Sequence, residues 1–270
     1  ALGQIQLVGA DVRDPAAVAR AVAGATAVVN LVGVLAGDFD ALHVAGAANI
    51  ARAATDAGVG ALVHVSAIGA NAESESGYGR SKGLGEAAVR AAFPQATILR
   101  PSIVFGPEDG FFNRFAGMAR LSPFLPLIGG GTTKFQPVFA GDVGEAIARL
   151  VDRGEADGKT YELGGPEAFT FRQLMEFTLD TIGRSRVLLP LPWGVAKLQA
   201  AIFGLLPKPL LTTDQVELLR SDNVVSEEAR LEGRTLEGLG VAAQGIEGIV
   251  PGYLYRYRKA GQFTAPKGIP

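Results

Sequence analysis

Short apolar runs alternate along this chain with longer stretches in which apolar positions recur every three or four residues. Ile5 to Gly9 is the first run, and reads as a strand. ADVRDPAAVARAV, which follows, has the helical period, with Asp14 as an N-cap acceptor and Pro15 at the first helical position. Residues 27–35, AVVNLVGVL, form a continuous apolar stretch of the kind buried in a parallel sheet. Asn30 interrupts it, and Gly33 lets another backbone or ligand come close. AGDFDALHVAGAANIARAATDAG is mostly helix with Gly58 as its stop. The loop before that helix, at Gly37–Asp38, is short, which implies either a trimmed loop or residues absent from this sequence. Residues 62–70 (LVHVSAIGA) read as a strand, YGRSK at 78–82 sits on a helix, and 96–107 (ATILRPSIVFGP) give a strand and a turn. Strand–helix alternation of this kind predicts βαβ units and an α/β fold.

After Pro107 the pattern loosens. Phe111 to Leu121 is an aromatic-rich helix ending in a Pro/Gly-rich loop. FQPVFAGDVGEAIARLVD predicts a strand to Phe139 and a helix capped by Asp142. YELGGPEAFTFRQLMEFTLDTIG predicts a short strand, a turn and a helix after Thr170. Residues 187–211 are strongly apolar but broken by prolines into pieces too short to span a bilayer, with Trp193, Leu198, Ile202, Phe203, Leu205 and Leu206 at roughly helical spacing. A helix capped by Thr213 or Asp214 should follow, ending near Asp222. The tail interleaves tyrosines with Arg256, Arg258 and Lys259. This combination suits a membrane surface or a partner, or else closes the C-terminal lobe over the sheet.

Composition narrows the chemistry. With 25 basic and 27 acidic residues there is no nucleic-acid footprint. The absence of cysteine excludes disulfides and thiolate metal sites, and two histidines make a zinc site an unpromising expectation. The 270 residues suffice for one large domain plus a lobe.

The candidate chemistry lies on the 78–82 helix. Tyr78 and Lys82 are four apart and share a helical face. A phenol with its ordinary value near 10 is a poor acid or base at neutral pH, and a nearby ammonium would draw it down. The lysine can also hold a sugar diol, and Ser66 at the end of the preceding strand can add a hydroxyl. An exposed pair on a solvated face is the plain alternative. Ser66, the YxxxK spacing and Pro101 at the end of the next strand resemble the short-chain dehydrogenase/reductase superfamily. The resemblance implies a Rossmann-type doubly wound parallel sheet with a smaller C-terminal α/β lobe. The glycine-rich GxxGxxG turn that would hold the pyrophosphate is not in the sequence. The expectation is a first βα unit of about 40 to 50 residues absent from it, on the length scale of a βαβ unit.

RPSIVFGPEDGFFNRFA, TTDQVELLRSDN, HVSAIGA, FQPVFAGDV and LLPLPW together are similar to an atypical branch of that superfamily. That branch is the NAD(P)H-binding accessory subunit family of respiratory complex I, in a bacterial form. The resemblance implies NADPH, with NADH possible, held as a structural element by Asp11, Val12, Asn30, Leu31, Val32, Gly33, Val65, Ser66, Ala67, Tyr78, Lys82, Arg100, Pro101, Ser102, Ile103 and Val104. For Asp11, contact with the adenine and a local role stand side by side. No residue is expected to be catalytic; Ser66, Tyr78 and Lys82 would be vestigial. The implied domains are 1–108 with 134–152 for the nucleotide and 109–133 with 153–270 for the substrate or partner side. The implied partners are other complex I subunits near the membrane, with membrane-surface, lipid or quinone contact, and the implied place is the cytoplasmic side of the inner membrane, or the matrix side in a mitochondrion. The competing expectation is a working NAD(P)-dependent reductase or sugar-epimerase-like enzyme.

Overall fold

The computed structural model describes residues 4–154, 156–203 and 212–259. The expectations placed on Leu205 and Leu206, and on the tail beyond Lys259, lie outside them, as do the side chains of Ile202 and Phe203. In chain order the elements are α1 (Pro15–Val22), β1 (Ala27–Asn30), α2 (Ala47–Asp56), β2 (Ala61–Val65), α3 (Gly77–Ala92), β3 (Thr97–Pro101), β4 (Val104–Phe105), α4 (Phe112–Leu121), β5 (Phe124–Ile128), β6 (Lys134–Phe135), β7 (Val138–Phe139), α5 (Ala140–Asp152), β8 (Thr160–Leu163), β9 (Phe169–Thr170), α6 (Phe171–Thr181), β10 (Val187–Leu191), α7 (Trp193–Phe203), α8 (Thr213–Leu218), α9 (Glu227–Leu231), α10 (Ile246–Ile249) and α11 (Pro251–Leu254). They fall into two compact units, 1–100 with 146–161 and 101–145 with 162–270.

The first unit is built on a sheet of order β1-β2-β3-β8, with β1 to β3 parallel in the Rossmann manner. β2 is buried from Ala61 to His64, as a central strand between two parallel neighbours should be, and His64 is the one polar residue in it. One face packs Leu62 and Ile98 against Val18 and Val22 of α1, Ile50 and Ala54 of α2 and Val89 of α3. Asp14 caps α1 as predicted, accepting from Ala16 N at 2.9 Å. The predicted strand at Ile5–Gly9 does not form. Those residues are irregular, with Leu7 94% exposed, because an apolar run becomes a strand only where a neighbour completes its hydrogen-bond ladder. The predicted 36–58 helix divides. Asp40–Gly46 is π-helical and runs into α2. A π-helical turn is rare and frequently marks a functional site.

The second unit has an aromatic core of Phe105, Phe112, Phe135 and Phe171, joined by Leu125, Leu127, Leu174 and Met175. The helix expected after Thr170 forms as α6, and Thr170 caps it in a capping box with Gln173. Three local expectations change. Asp142 lies inside the first turn of α5, and its buried carboxylate accepts from Gln244 N and Nε2 at 2.7 and 2.9 Å instead of capping. Thr212, not Thr213 or Asp214, caps α8, and that helix ends at Leu218. The stretch after Arg186 starts as β10, paired in parallel with β5, before becoming α7. Trp193 packs beside Ile128, Ala196 and Val216, whereas Leu198 is 64% exposed. The tail is knitted into its own unit. Tyr253 donates to Asp109, Arg256 to Asn113 Oδ1 and Arg258 to the Thr181 carbonyl.

Candidate functional site

The site forms where β1 and β2 end and α3 begins, within the first unit. Ser76 caps α3, its hydroxyl accepting from Gly79 N at 3.1 Å, and so sets the phase that brings Tyr78 and Lys82 to one face. The helix is rich in glycine, and Gly85 shows why. A Cβ there would stand 2.2 Å from the His43 carbonyl oxygen, so the π-helical turn and α3 can approach only through glycine.

Lys82 is only 5% exposed and its Nζ donates to the Val65 carbonyl at 3.1 Å. Burial pulls its ammonium down to about 8, with the Glu86 carboxylate opposing the shift. Tyr78 packs edge-on to Phe39 and His43, at 6.1 and 5.6 Å between ring centroids. Burial pushes its phenol up to about 12. This reverses the sequence argument for an activated tyrosine. Desolvation of the phenolate governs the phenol, while the lysine head is engaged at a strand carbonyl.

Both histidines belong to this cluster, and neither was singled out from the sequence as a site residue. Val34 N donates to His43 Nε2 at 2.9 Å, so the ring hydrogen sits on Nδ1 and is given to Ser81 Oγ at 2.8 Å. Ser81 in turn donates to the Tyr78 carbonyl at 2.9 Å. Phe39 stacks on the same ring with centroids 5.4 Å apart. Burial and the nearby Lys82 charge hold His43 down to about 4, so it is neutral at physiological pH. His64 sits beside Asn30 in register across β1 and β2. The Asn30 Oδ1 accepts from Val32 N, which orients its amide nitrogen to donate to His64 Nδ1 at 2.9 Å. The hydrogen of this imidazole is therefore on Nε2, and burial followed by the Lys82 charge takes it down to about 3. A polar residue inside an apolar strand and another on the inner face of a helix were the available sequence signals.

Among the described residues, the buried side-chain nitrogen and oxygen atoms without a protein partner are His64 Nε2 and Ser66 Oγ. His64 lies on β2 and Ser66 directly follows its end, so the two flank in sequence Val65, whose carbonyl holds Lys82. Orphaned buried polar atoms are costly and call for a partner outside the protein. Gly33 adds a cradle, since a Cβ there would lie 3.4 Å from Lys82 Nζ and 3.8 Å from His43 Nε2. Hydroxyl, ammonium and phenol beside a glycine wall suit a polyhydroxylated ligand such as a nucleotide ribose.

The other candidate residues are distributed. Val65 supplies the carbonyl, Ala67 lies in the turn after β2, and Leu31 is 65% exposed. Val12 packs at the start of α2, where its carbonyl accepts from Asn49, while exposed Asp11 is clasped by Arg13 at 2.6 Å. That guanidinium holds Asp11 down to about 2. Arg100 is bound by both oxygens of the buried Glu86 carboxylate, at 2.9 and 2.7 Å. Pro101, Ser102, Ile103 and Val104 belong to the second unit. There the Ser102 hydroxyl bonds Asn223, and Ile103 and Val104 serve the pairing with β7.

Residues 1–164 match the NAD dependent epimerase/dehydratase family. The chain is 37% identical over 275 aligned positions to NADH dehydrogenase (ubiquinone) 1 alpha subcomplex subunit 9, mitochondrial, of Arabidopsis thaliana, covering 96% of this chain and 67% of that protein. It is 29% identical to the mitochondrial NADH-ubiquinone oxidoreductase 40 kDa subunit of Neurospora crassa, covering 98% and 70%. The chain thus spans about two thirds of the length of these relatives. Among solved structures, the triphenylmethane reductase of a Citrobacter species in complex with NADP(H) superposes with a TM-score of 0.72 at 19% identity, covering 93% of this chain and 84% of that one, which shows a shared fold.

Proposed function

This chain belongs to the NAD dependent epimerase/dehydratase family, in the branch of the mitochondrial NADH dehydrogenase (ubiquinone) 1 alpha subcomplex subunit 9 proteins, and from that premise we propose that it is a nucleotide-holding accessory subunit of respiratory NADH:quinone oxidoreductase. The observation that carries the nucleotide reading is the pair of orphaned atoms, His64 Nε2 and Ser66 Oγ, whose residues flank in sequence Val65, the carbonyl partner of the buried Lys82 head. Ser66, Tyr78 and Lys82 would hold ribose hydroxyls. A bound nicotinamide would supply hydride chemistry, but a phenol pushed up to about 12 is a poor proton donor, which favours holding over turnover. We assign NADPH in preference to NADH on family likeness.

The subunit is peripheral in this reading, and no described helix is long and apolar enough to cross a membrane. Contact with the membrane surface would fall to the second unit, on the cytoplasmic side in a bacterium. Val187, Leu189, Val195 and Leu198 are exposed there, and Arg120 and Arg186 lie near enough to Arg184 to repel it. Acid extraction of the native full-length protein should release NADPH, and the protein should co-migrate with the membrane-bound oxidoreductase. A nucleotide-free protein that fractionates alone would overturn the reading. Leu198→Asp should reduce sedimentation with anionic vesicles while leaving the nucleotide bound; unchanged sedimentation removes the membrane contact.

A further inference from the structure

We propose that His43 is a positioning residue that clasps the loop after β1 to helix α3, and so holds Gly33 against the head of Lys82. This rests on the nucleotide-holding reading and extends it to a residue which makes no claim on the ligand itself.

The loop is fixed at alternate amides. Val32 N donates to Asn30 Oδ1 at 3.0 Å and Val34 N to His43 Nε2 at 2.9 Å. Gly33 lies between these clamps, exposed, with its Cβ direction pointing at Lys82 Nζ 3.4 Å away. Removing the second clamp frees the loop end next to the lysine. The same imidazole reaches α3 through Ser81, one residue before Lys82. A single ring therefore spans from residue 34 to residue 81, with its backbone locked against Gly85 in the π-helical turn. Both ring nitrogens are used, each with an assigned role, and this requires neutral imidazole. The charged and titratable groups facing it are Lys82 and Tyr78 from α3 and His64 from β2. A ring that served only to fill space would need neither bond, and a phenylalanine would replace it.

The test uses His43→Phe in the full-length protein, which keeps the ring and loses both hydrogen bonds. NADPH should bind about tenfold more weakly, and the Val34 amide should exchange its hydrogen faster, while the melting temperature of the nucleotide-free protein stays within a few degrees. His43→Gln, whose side-chain oxygen can reach the Val34 amide, should recover most of both losses. If wild type binds NADPH and His43→Phe binds it equally well, the clasp is overturned and the nucleotide reading stands. If wild type itself binds no NADPH, both fall. Should His43→Phe unfold, His43→Gln decides alone: full protection of Val34 with weakened NADPH binding also overturns the clasp.

Discussion

Lys82→Met removes the one buried ammonium of the site while keeping much of its volume. An unfolded chain holds the lysine proton up to its ordinary value of 10.5, whereas the folded protein gives it up near 8. At about 1.4 kcal/mol for each factor of ten, keeping this charge buried below pH 8 costs the nucleotide-free protein about 3 kcal/mol. The bond to the Val65 carbonyl returns about 1–2 kcal/mol, and methionine forfeits it. The difference favours the variant by about 1–2 kcal/mol at pH 7. Between pH 8 and 10.5 the unfolded state binds the extra proton, so wild-type stability rises with pH across that window and the gap closes. Near pH 10.5 the variant becomes the less stable by about the lost hydrogen bond. Urea unfolding of both nucleotide-free proteins at pH 7 and pH 10 measures this, with NADPH titration alongside. The variant should bind NADPH far more weakly than wild type, forfeiting the roughly 2.7 kcal/mol that ligand at 100 times its dissociation constant confers. A deficit of 2 kcal/mol or more at pH 7 that is unchanged at pH 10 would refute the reasoning and make Lys82 a structural residue.

Three further outcomes follow from the same geometry. Gly85→Ala sets a Cβ 2.2 Å from the His43 carbonyl and should cost about 1–3 kcal/mol in urea unfolding, with nucleotide binding weakened because the π-helical turn is displaced. Arg100→Ala strips the buried Glu86 carboxylate of its bidentate partner, leaving the Lys82 charge as the cation near it, and should destabilise by about 3 kcal/mol; a thermal midpoint within one degree of wild type would show the pair to be idle. Thr212→Ala dissolves the capping box of α8 and should cost about 1 kcal/mol, read as faster amide exchange at Gln215.

Periodicity and cap chemistry were enough to determine the βαβ order, the faces of the helices and several helix starts. Asp14 caps α1 and α6 starts after Thr170, where local spacing places them, because a cap reaches only two or three residues along the chain. The pairing of Tyr78 with Lys82 on one face was legible for the same reason. What the tertiary structure decided was every property set by a group distant in sequence. Ile5–Gly9 has a strand's composition but no strand, since a ladder needs a second chain segment. Residues 187–191 became a strand because β5 offered them an edge. The direction of the Tyr78 shift depended on how much water its burial removed, and the neighbour expected to lower it was occupied at Val65. His43 gains its role from Val34 and Ser81, nine and 38 residues away, a distance no local pattern encodes. The sequence therefore specifies which side chains can meet the interior, while the charge state and partners of those buried groups are set by what the fold brings across from them.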